Sequence, residues 1–298
     1  MAEVLAGPDA QNGVGVLGAS SLVGTCLLPL LGETGARVTA FSRSTPRLVK
    51  SGWEWCQLGA ATPAVERGAP IHSWISLAPL WVLPDYFDLL EARGARRVVA
   101  LSSTSIFTKQ DSKDPQEQAI AQRLVNAEKH VIEWAQGRNV EWVILRPTLI
   151  YGLGQDKNIA EMARFIGRFG FFPVFSRANG LRQPVHVGDV AAACLPALHL
   201  PGSANRAYNI SGGETLPYRD MVKRVAVALG QRPRFLQVPL WTFRLAVVVL
   251  RHLPRYRLWS VGMAERMGRD LVFDHADAAR DLNFEPRPFL LTARDLPP

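Results

Sequence analysis

Cysteine is scarce in this sequence, and its few copies form no recognisable pair. The 298 residues include three cysteines, Cys26, Cys56 and Cys194, which are widely spaced and lie in mostly apolar surroundings. Neither a CxxC pair nor a set of ligands with metal-binding spacing is present. We therefore expect reduced thiols in a cytoplasmic protein, with no disulfide framework and no metal site.

Long apolar runs and blocks of basic residues are also missing. No apolar run reaches the length of about 18 residues that a membrane-spanning helix needs. The first residues, Met-Ala-Glu-Val-Leu, lack the basic start and apolar core of a signal peptide. The formal net charge is +8, yet Lys and Arg are scattered. This pattern favours anionic ligands in general and argues against nucleic acid as a partner.

A glycine-containing turn near the N-terminus is the most informative segment that is present. Gly18-Ala-Ser-Ser-Leu-Val-Gly24 follows an apolar strand-like run and opens an apolar helix-like run, which is the context of a dinucleotide-binding turn. Gly18 lets the chain leave the strand sharply, and Gly24 allows the helix and the strand to pack closely. Amide groups at the start of the helix would then face a pyrophosphate. Ser21 stands where a third glycine is common, and its hydroxyl can still donate to phosphate.

The second strand-like run ends without an acidic residue. An NAD-preferring site carries a carboxylate at this point, which accepts the ribose 2′-hydroxyl. Here the sequence is Ser42-Arg43-Ser44, with Arg47 close behind. A guanidinium fits a 2′-phosphate through charge-assisted bonds, so we predict NADP(H) in preference to NAD(H). The alternative is that Arg43 is a solvated loop charge.

The first half of the sequence alternates between strand and helix signals. Helix-like segments separate apolar, strand-like segments at 14–17, 38–41, 53–58, 71–78, 97–102 and 140–145. This alternation predicts an α/β fold with a Rossmann-type, doubly wound parallel sheet. Prolines and glycines become frequent later, so we predict a dinucleotide-binding domain over 1–150 and a smaller C-terminal substrate domain over 151–298. Segments near 183–212 are expected to return to the first domain.

Several further motifs resemble one family of enzymes. They are Leu101-Ser-Ser-Thr-Ser-Ile-Phe107, Leu145-Arg-Pro-Thr-Leu-Ile-Tyr-Gly152 with Gly154, Arg182-Gln-Pro-Val-His-Val-Gly-Asp189 and Tyr208-Asn-Ile-Ser-Gly-Gly213. With the N-terminal turn, they make the chain similar to the extended short-chain dehydrogenases/reductases, which include NDP-sugar epimerases and dehydratases. The resemblance implies NAD(P) across the C-terminal edge of the sheet, a substrate in the cleft under the smaller domain and a possible homodimer.

The turn and the resemblance together predict a set of cofactor contacts. These are Gly18, Ser20, Ser21, Leu22, Gly24, Ser42, Arg43, Ala78, Ser102 and Pro147. Three further residues are expected to contact substrate. They are Thr104, Tyr151 and Arg182, the last of which stands where the family often places an arginine near the phosphates of a nucleotide sugar.

The catalytic residues that the resemblance implies are incomplete. The family uses a Ser or Thr that bonds the substrate oxygen, a Tyr that moves a proton, and a Lys four residues after the Tyr. Ser103 matches the first, although it could instead satisfy backbone groups of the next turn. None of the five tyrosines is followed by Lys four residues on, and none lies between Ser103 and Arg146. If Glu128 is the acidic residue of the family helix, the two remaining positions hold Ile120 and Leu124, which cannot transfer protons.

Four other features have a functional and a structural interpretation. Lys109 and Lys113 could replace the missing base, but loop lysines are usually solvated. His186 and Asp189 could be catalytic, but they more simply anchor the returning segment and the start of a helix. Residues 241–257 combine an apolar run with flanking arginines. They could lie on an anionic membrane surface, or form a buried helix of the smaller domain.

Two functions follow from these observations. The first is an NADP(H)-dependent oxidoreductase or epimerase-like enzyme without the Tyr-Lys pair, acting on a small hydroxyl or carbonyl compound that could be anionic or a nucleotide sugar. The second is a non-catalytic NADP(H)-binding sensor or scaffold. The absence of the Tyr-Lys pair favours the non-catalytic function. The motifs that resemble the family favour the enzyme.

Overall fold

The computed structural model describes residues 13–43, 53–59, 68–112, 114–175, 177–239 and 266–298. Its strands, in chain order, are β1 (Val14–Leu17), β2 (Val38–Ser42), β3 (Trp53–Gln57), β4 (Ser73–Ser76), β5 (Arg97–Leu101), β6 (Glu141–Pro147), β7 (Ile150–Tyr151), β8 (Phe172–Phe175), β9 (Leu181–Arg182), β10 (Val185–His186), β11 (Arg206–Ile210), β12 (Leu216–Pro217) and β13 (Phe235–Val238).

The α-helices follow the same numbering. They are α1 (Leu22–Glu33), α2 (Phe87–Ala92), α3 (Ser105–Thr108), α4 (Pro115–Gly137), α5 (Ile159–Phe169), α6 (Val187–His199), α7 (Tyr218–Ala228) and α8 (Ala276–Leu282). Short 3-10 turns occupy Leu80–Tyr86, Pro201–Ser203 and Ala293–Asp295.

A seven-stranded parallel sheet forms the centre of the molecule. The strand order is β3-β2-β1-β4-β5-β6-β11, and every pairing is parallel. Leu17 at the end of β1 pairs with Phe41 on one side and with Ser76 on the other, so the carboxyl ends of these strands meet at one edge. The chain order reverses between β1 and β4, and ligands of such sheets bind in the crevice at this point. The predicted doubly wound Rossmann-type sheet is confirmed.

Both faces of the sheet are covered, as the continuous burial of the central strands requires. Successive residues of β1 point to opposite faces. Val16 packs in a buried cluster with α1 and α6, while Leu17 packs in a second cluster that includes Trp74 and residues of α4. Because the sheet is packed on both faces, its carboxyl edge at Gly18 is held in place.

A third buried cluster is made only of residues after position 150. It contains Tyr151, Met221 and Phe289 among others, and it joins α5, α7 and the C-terminal residues. The segment between these parts returns to the central sheet, because β11 pairs with β6 and α6 packs against α1.

Two local expectations differ from the structure. The pattern from Asp85 to Arg93 predicts one helix, but the structure begins with the 3-10 turn Leu80–Tyr86 and becomes α-helical only at Phe87. The pattern from Gln183 to Val187 predicts a short strand, but the strand covers only Val185–His186, because the ring of His186 then caps α6 by accepting a hydrogen bond from the amide of Gly188 at 3.0 Å.

Candidate functional site

The turn after β1 has the geometry that the sequence predicts. Gly18 has a left-handed backbone (φ +73°), and a Cβ there would stand 2.7 Å from the Ala78 nitrogen. A Cβ on Gly24 would stand 2.1 Å from the carbonyl oxygen of Ala19. Both contacts are with backbone, so neither can be relieved by moving a side chain. Glycine at these two positions allows β1, β4 and α1 to meet.

The start of α1 leaves two amide groups facing outwards. Ser21 caps the helix: its Oγ accepts from the Gly24 amide at 3.1 Å, and its carbonyl accepts from the Thr25 amide at 3.0 Å. The amides of Leu22 and Val23 have no acceptor within the described part of the chain. The Ser21 hydroxyl hydrogen also stays available, because Oγ is only an acceptor in the capping bond. Two amides and one hydroxyl can therefore donate to an anion here.

The end of β2 borders this turn. Ser42 and Ser20 share a hydrogen bond of 2.8 Å between their hydroxyls, which links the strand end to the turn. Arg43 is exposed, and its carbonyl accepts from the side-chain amide of Gln57 at 3.2 Å. Arg47 lies outside the described residues.

A cavity of about 500 Å³ opens beside the turn. Its wall includes six of the predicted residues, namely Ser21, Leu22, Ala78, Ser102, Ser103 and Pro147. The start of α1 and the ends of β4, β5 and β6 thus contribute to one site. The other predicted cofactor residues, Gly18, Ser20, Gly24, Ser42 and Arg43, belong to the adjoining turn, the first turn of α1 and the end of β2.

Ser103 lines the cavity and is half-buried. Its Oγ accepts from the Ser105 amide at 3.1 Å, so its hydroxyl hydrogen can still be donated. Ser102 next to it donates to Glu128 at 2.6 Å. Glu128 also accepts from Arg146 at 2.9 and 2.5 Å, which ties the ends of β5 and β6 to α4.

The face of α4 that borders the cavity is aliphatic. Ile120 and Leu124, one helical turn apart, both line the wall. Neither side chain carries a titratable proton.

The three residues predicted to contact substrate are not part of the cavity wall. Thr104 is buried and its hydroxyl donates to the Pro147 carbonyl at 3.3 Å. Tyr151 is buried beside His186 and Phe289, and its hydroxyl faces the Leu290 carbonyl at 3.4 Å. Burial raises the pKa of Tyr151 to about 12, and Asp295 and Asp189 add to the shift. A substrate role for Thr104 and Tyr151 stays a prediction.

Arg182 is also buried, and its guanidinium contacts carbonyl groups. Nη1 donates to Leu181 and to Arg269, both at 2.7 Å, and Nη2 donates to the Arg266 carbonyl. Burial lowers the pKa of Arg182 to about 10. In this arrangement Arg182 holds the segment near residue 269 against β9, and its predicted contact with an anionic substrate stays a prediction.

His186 and Asp189 make structural contacts. The Nε2 atom of His186 lies 3.1 Å from Asp295, and Asp189 accepts from the Arg287 amide and Nε at 3.0 and 2.8 Å. These bonds attach the C-terminal residues to the start of α6.

Lys109 follows α3 and is half-buried. Burial lowers its pKa, and Arg266 acts in the same direction. It is not part of the cavity wall. Lys113 and residues 241–257 lie outside the described residues.

Two parts of the cavity wall were not predicted from the sequence. Trp81 lies in the 3-10 turn after β4, where no apolar periodicity marks it. The loop residues Gln155 to Asn158 form a polar rim. Asp156 in this loop accepts the amides of residues 158–160, a capping arrangement that the Asp-x-Asn sequence before an apolar run could have indicated.

In the described part of the chain, no helix is long and apolar enough to cross a bilayer. The same residues contain no group of three or more His, Cys, Asp or Glu side chains that could hold a metal ion.

Comparisons with known proteins agree with the fold and the cleft motifs. The model of the NAD dependent epimerase/dehydratase family matches residues 85–211. A UDP-glucose 4-epimerase of Vibrio cholerae is 29% identical over 119 residues, which are 40% of this chain and 36% of that protein. The mitochondrial NADH dehydrogenase [ubiquinone] 1 alpha subcomplex subunit 9 of Arabidopsis thaliana is 26% identical over 157 residues, 49% of this chain and 39% of that protein. The matches therefore span less than half of either relative.

Solved structures match over nearly the whole chain. The structure of MoeE5 in complex with UDP-glucose and NAD superposes with a TM-score of 0.67 at 22% identity, covering 94% of this chain and 95% of the other. A likeness at this identity shows the fold.

Proposed function

We propose that this chain is a member of the extended short-chain dehydrogenase/reductase family that binds NADP(H) and converts a small hydroxyl or carbonyl compound. One observation carries the proposal: the left-handed turn at Gly18 and the two unpartnered amides of α1 stand beside the cavity that Ser103 lines. MoeE5 was solved with UDP-glucose, so a nucleotide sugar is the natural reference compound for this cavity.

The residues present fit a nicotinamide dinucleotide. The glycines at 18 and 24 let β1, β4 and α1 approach closely, and the amides of Leu22 and Val23 can receive a pyrophosphate. Ala78, Ser102 and Pro147 line the same cavity as Ser103 and would hold the nicotinamide end. A bound nicotinamide supplies the hydride donor or acceptor of the reaction.

The exposed Arg43 supports NADP(H) as the preferred form. It follows β2 directly, at the position where a carboxylate would select the ribose 2′-hydroxyl. A guanidinium there would attract a 2′-phosphate, and it offers no acceptor for the hydrogen of an unmodified 2′-hydroxyl.

Ser103 is proposed to orient the substrate oxygen. Its Oγ is fixed by the Ser105 amide, and its free hydroxyl hydrogen can be donated to a carbonyl oxygen in the cavity. Because Ile120 and Leu124 carry no titratable proton, the proton that such a reaction needs would be moved by water or by a group not yet identified. General acid–base help is worth roughly 10²–10⁴-fold, so its absence slows a reaction without forbidding it.

Two assignments follow from this proposal. Residues 1–150 would bind the dinucleotide and residues 151–298 would form most of the substrate domain. The cytoplasm would suit the free thiols of Cys26, Cys56 and Cys194.

Calorimetric titration of Arg43→Ala tests the cofactor preference. A hydrogen bond to a charged group is worth about 1.5–3 kcal/mol, so we expect NADPH affinity to fall by roughly 10- to 150-fold. NADH affinity should stay within about twofold of wild type, because no 2′-phosphate is lost.

Arg37→Ala is the matched control. Arg37 is exposed like Arg43 but precedes β2, at the opposite edge of the sheet. It should leave both affinities unchanged. Equal loss of NADPH and NADH affinity in Arg43→Ala, or no loss in either, would contradict the preference.

A non-catalytic NADP(H)-binding protein is the second candidate. The aliphatic pair at the cavity wall favours it, and one relative is a subunit of a larger complex. NADPH oxidation measured against a panel of carbonyl compounds separates the two functions, since only an enzyme consumes the dinucleotide.

A further inference from the structure

Part of the cavity wall is apolar. Leu80 and Leu124 belong to one buried apolar cluster, Ile120 and Trp81 pack against it, and all four residues line the cavity. The guanidinium of Arg123 lies 4.5 Å from the centroid of the Trp81 ring, a cation–π contact that holds the indole in place. A ligand that lies against this wall exchanges water for aliphatic and aromatic surface.

Cationic partners for a phosphate are few around the cavity. Lys157 is the one cationic side chain among the described residues of the wall, and it is exposed on the rim. Arg182 is buried and its guanidinium donates to the carbonyls of Leu181 and Arg269. A nucleotide sugar would bring a second diphosphate besides the one assigned to the amides of Leu22 and Val23, and the described wall offers no arginine to pair with it.

The N-terminus of α5, on the rim of the cavity, already has an anionic partner within the protein. The carboxylate of Asp156 accepts the amides of Asn158, Ile159 and Ala160 at 2.6–3.2 Å. These are the amides at the N-terminus of α5 that could otherwise bind an anion. Their partner carries a negative charge, which disfavours a second anion beside it.

We propose that the substrate of this cavity is an uncharged ketone, aldehyde or alcohol with an apolar body, rather than a nucleotide sugar. The proposal rests on the proposed function, in which the reacting carbonyl or hydroxyl lies near Ser103. The apolar body then lies against Ile120, Leu124 and Trp81.

If the ligand lies against an apolar wall, its affinity should rise with the length of its alkyl chain. Each buried CH₂ contributes about 0.8 kcal/mol, which equals about a fourfold gain in affinity. Across the 2-alkanones from 2-butanone to 2-heptanone, the dissociation constant should therefore fall by about fourfold per carbon until the cavity is filled.

The test uses the full chain, with and without saturating NADP⁺, and calorimetry as the readout. The probes are the alkanone series, UDP-glucose, and 6-oxoheptanoate, which is 2-heptanone with a carboxylate in place of its terminal methyl. We expect 2-heptanone to bind at least about tenfold more tightly than 6-oxoheptanoate or UDP-glucose.

Two variants of α4 locate the binding. Ile120→Asp places a charge in the wall and should weaken 2-heptanone binding by about tenfold or more, while saturable NADP⁺ binding remains and shows that the variant is folded. Gln122→Asp makes a similar change on the exposed side of the same helix and should leave both affinities unchanged. Ile120→Leu should restore ketone binding, which separates a packing role from loss of the fold.

Measuring NADP⁺ binding and ketone binding separately distinguishes an error in the substrate class from an error in the dinucleotide function. If NADP⁺ binds but UDP-glucose or 6-oxoheptanoate binds more tightly than 2-heptanone, or Ile120→Asp has no effect, the apolar substrate class is wrong and the dinucleotide function stands. If NADP⁺ does not bind but 2-heptanone binds with the expected chain-length and Ile120 dependence, the proposed function is wrong and the apolar site stands.

Discussion

Gly24 sets how closely α1 approaches the turn after β1. A Cβ at this position would stand 2.1 Å from the Ala19 carbonyl oxygen, a backbone atom. Gly24→Ala must therefore displace the turn, at a cost of about 1–3 kcal/mol in the free energy of unfolding. We expect a lower melting temperature and loss of dinucleotide binding.

Gly167 supplies the control for this substitution. It lies inside α5, and an added Cβ meets nothing within 4 Å. Gly167→Ala should stabilise the protein by about 0.5–1 kcal/mol, because glycine is a poor helix former, and should not affect binding. A Gly24→Ala protein that melts and binds NADPH as wild type does would show that the turn is wider than described.

Ser103 is the residue on which the proposed catalytic role depends. Ser103→Ala would remove one donor from the proposed position of the substrate oxygen, and such donors are worth roughly 10²–10³-fold in kcat. Single-turnover kinetics should show this loss, while calorimetry should show an unchanged dissociation constant for NADPH. A loss of NADPH affinity with kcat unchanged would assign Ser103 to binding alone.

At the scale of single elements, α4 is the helix whose cavity-facing side chains offer no proton donor for the proposed reaction. Ile120 and Leu124 lie one turn apart on the cavity wall. Ile120→Tyr with Leu124→Lys would place a phenol and an ammonium there, and the ammonium would lower the pKa of the phenol. We expect NADPH-dependent turnover of carbonyl compounds to rise by roughly 10²-fold, with a new alkaline limb in its pH profile.

The same helix provides a matched control. Gln122 and Asn126 are also four residues apart, are exposed, and share a hydrogen bond of 2.8 Å. Gln122→Tyr with Asn126→Lys should leave turnover unchanged. An equal rise in both double variants would show that the cavity wall is not where the proton is transferred.

The sequence predicted elements well where the signal is local. The turn from Gly18 to Gly24 follows from two glycines between a strand and a helix. Asp114 followed by Pro115 predicts the N-cap of a helix, and Asp114 caps α4 by accepting from the Gln116 amide at 2.9 Å. The cavity position of Ser103 and Pro147 followed from the motifs at the ends of β5 and β6.

The missed or unsupported site residues depend on long-range packing. A segment nearly ninety residues away decides whether Arg182 faces a ligand or the carbonyl of Arg269. Trp81 lies in a 3-10 turn whose sequence gives no period, so its place on the cavity wall emerges only when α4 packs against it.

For the whole molecule, buried phenols predict the alkaline limit of stability. Burial raises the pKa of Tyr151 and of Tyr218 to about 12 each, above the unfolded value of about 10. A pKa that is higher in the folded state means that the stabilisation is fully present below about pH 10 and is lost as the pH rises towards 12. Phenolate absorbance and circular dichroism, followed together, should show these two tyrosines ionising only as the protein unfolds.

Tyr218→Phe removes one of these groups. The variant should lose less stability than wild type between pH 10 and 12. Full ionisation of all five tyrosines near pH 10, with the native circular dichroism retained, would contradict the described burial.

The proposed function places a nicotinamide dinucleotide at the switch point of the Rossmann-type sheet. Calorimetric titration of the wild-type chain with NADPH, and then with NADH, measures whether it binds there. We expect saturable binding of one dinucleotide per chain, with NADPH the tighter ligand. If neither dinucleotide binds saturably, the turn is closed to pyrophosphate, the fold is a scaffold and the proposed function is wrong.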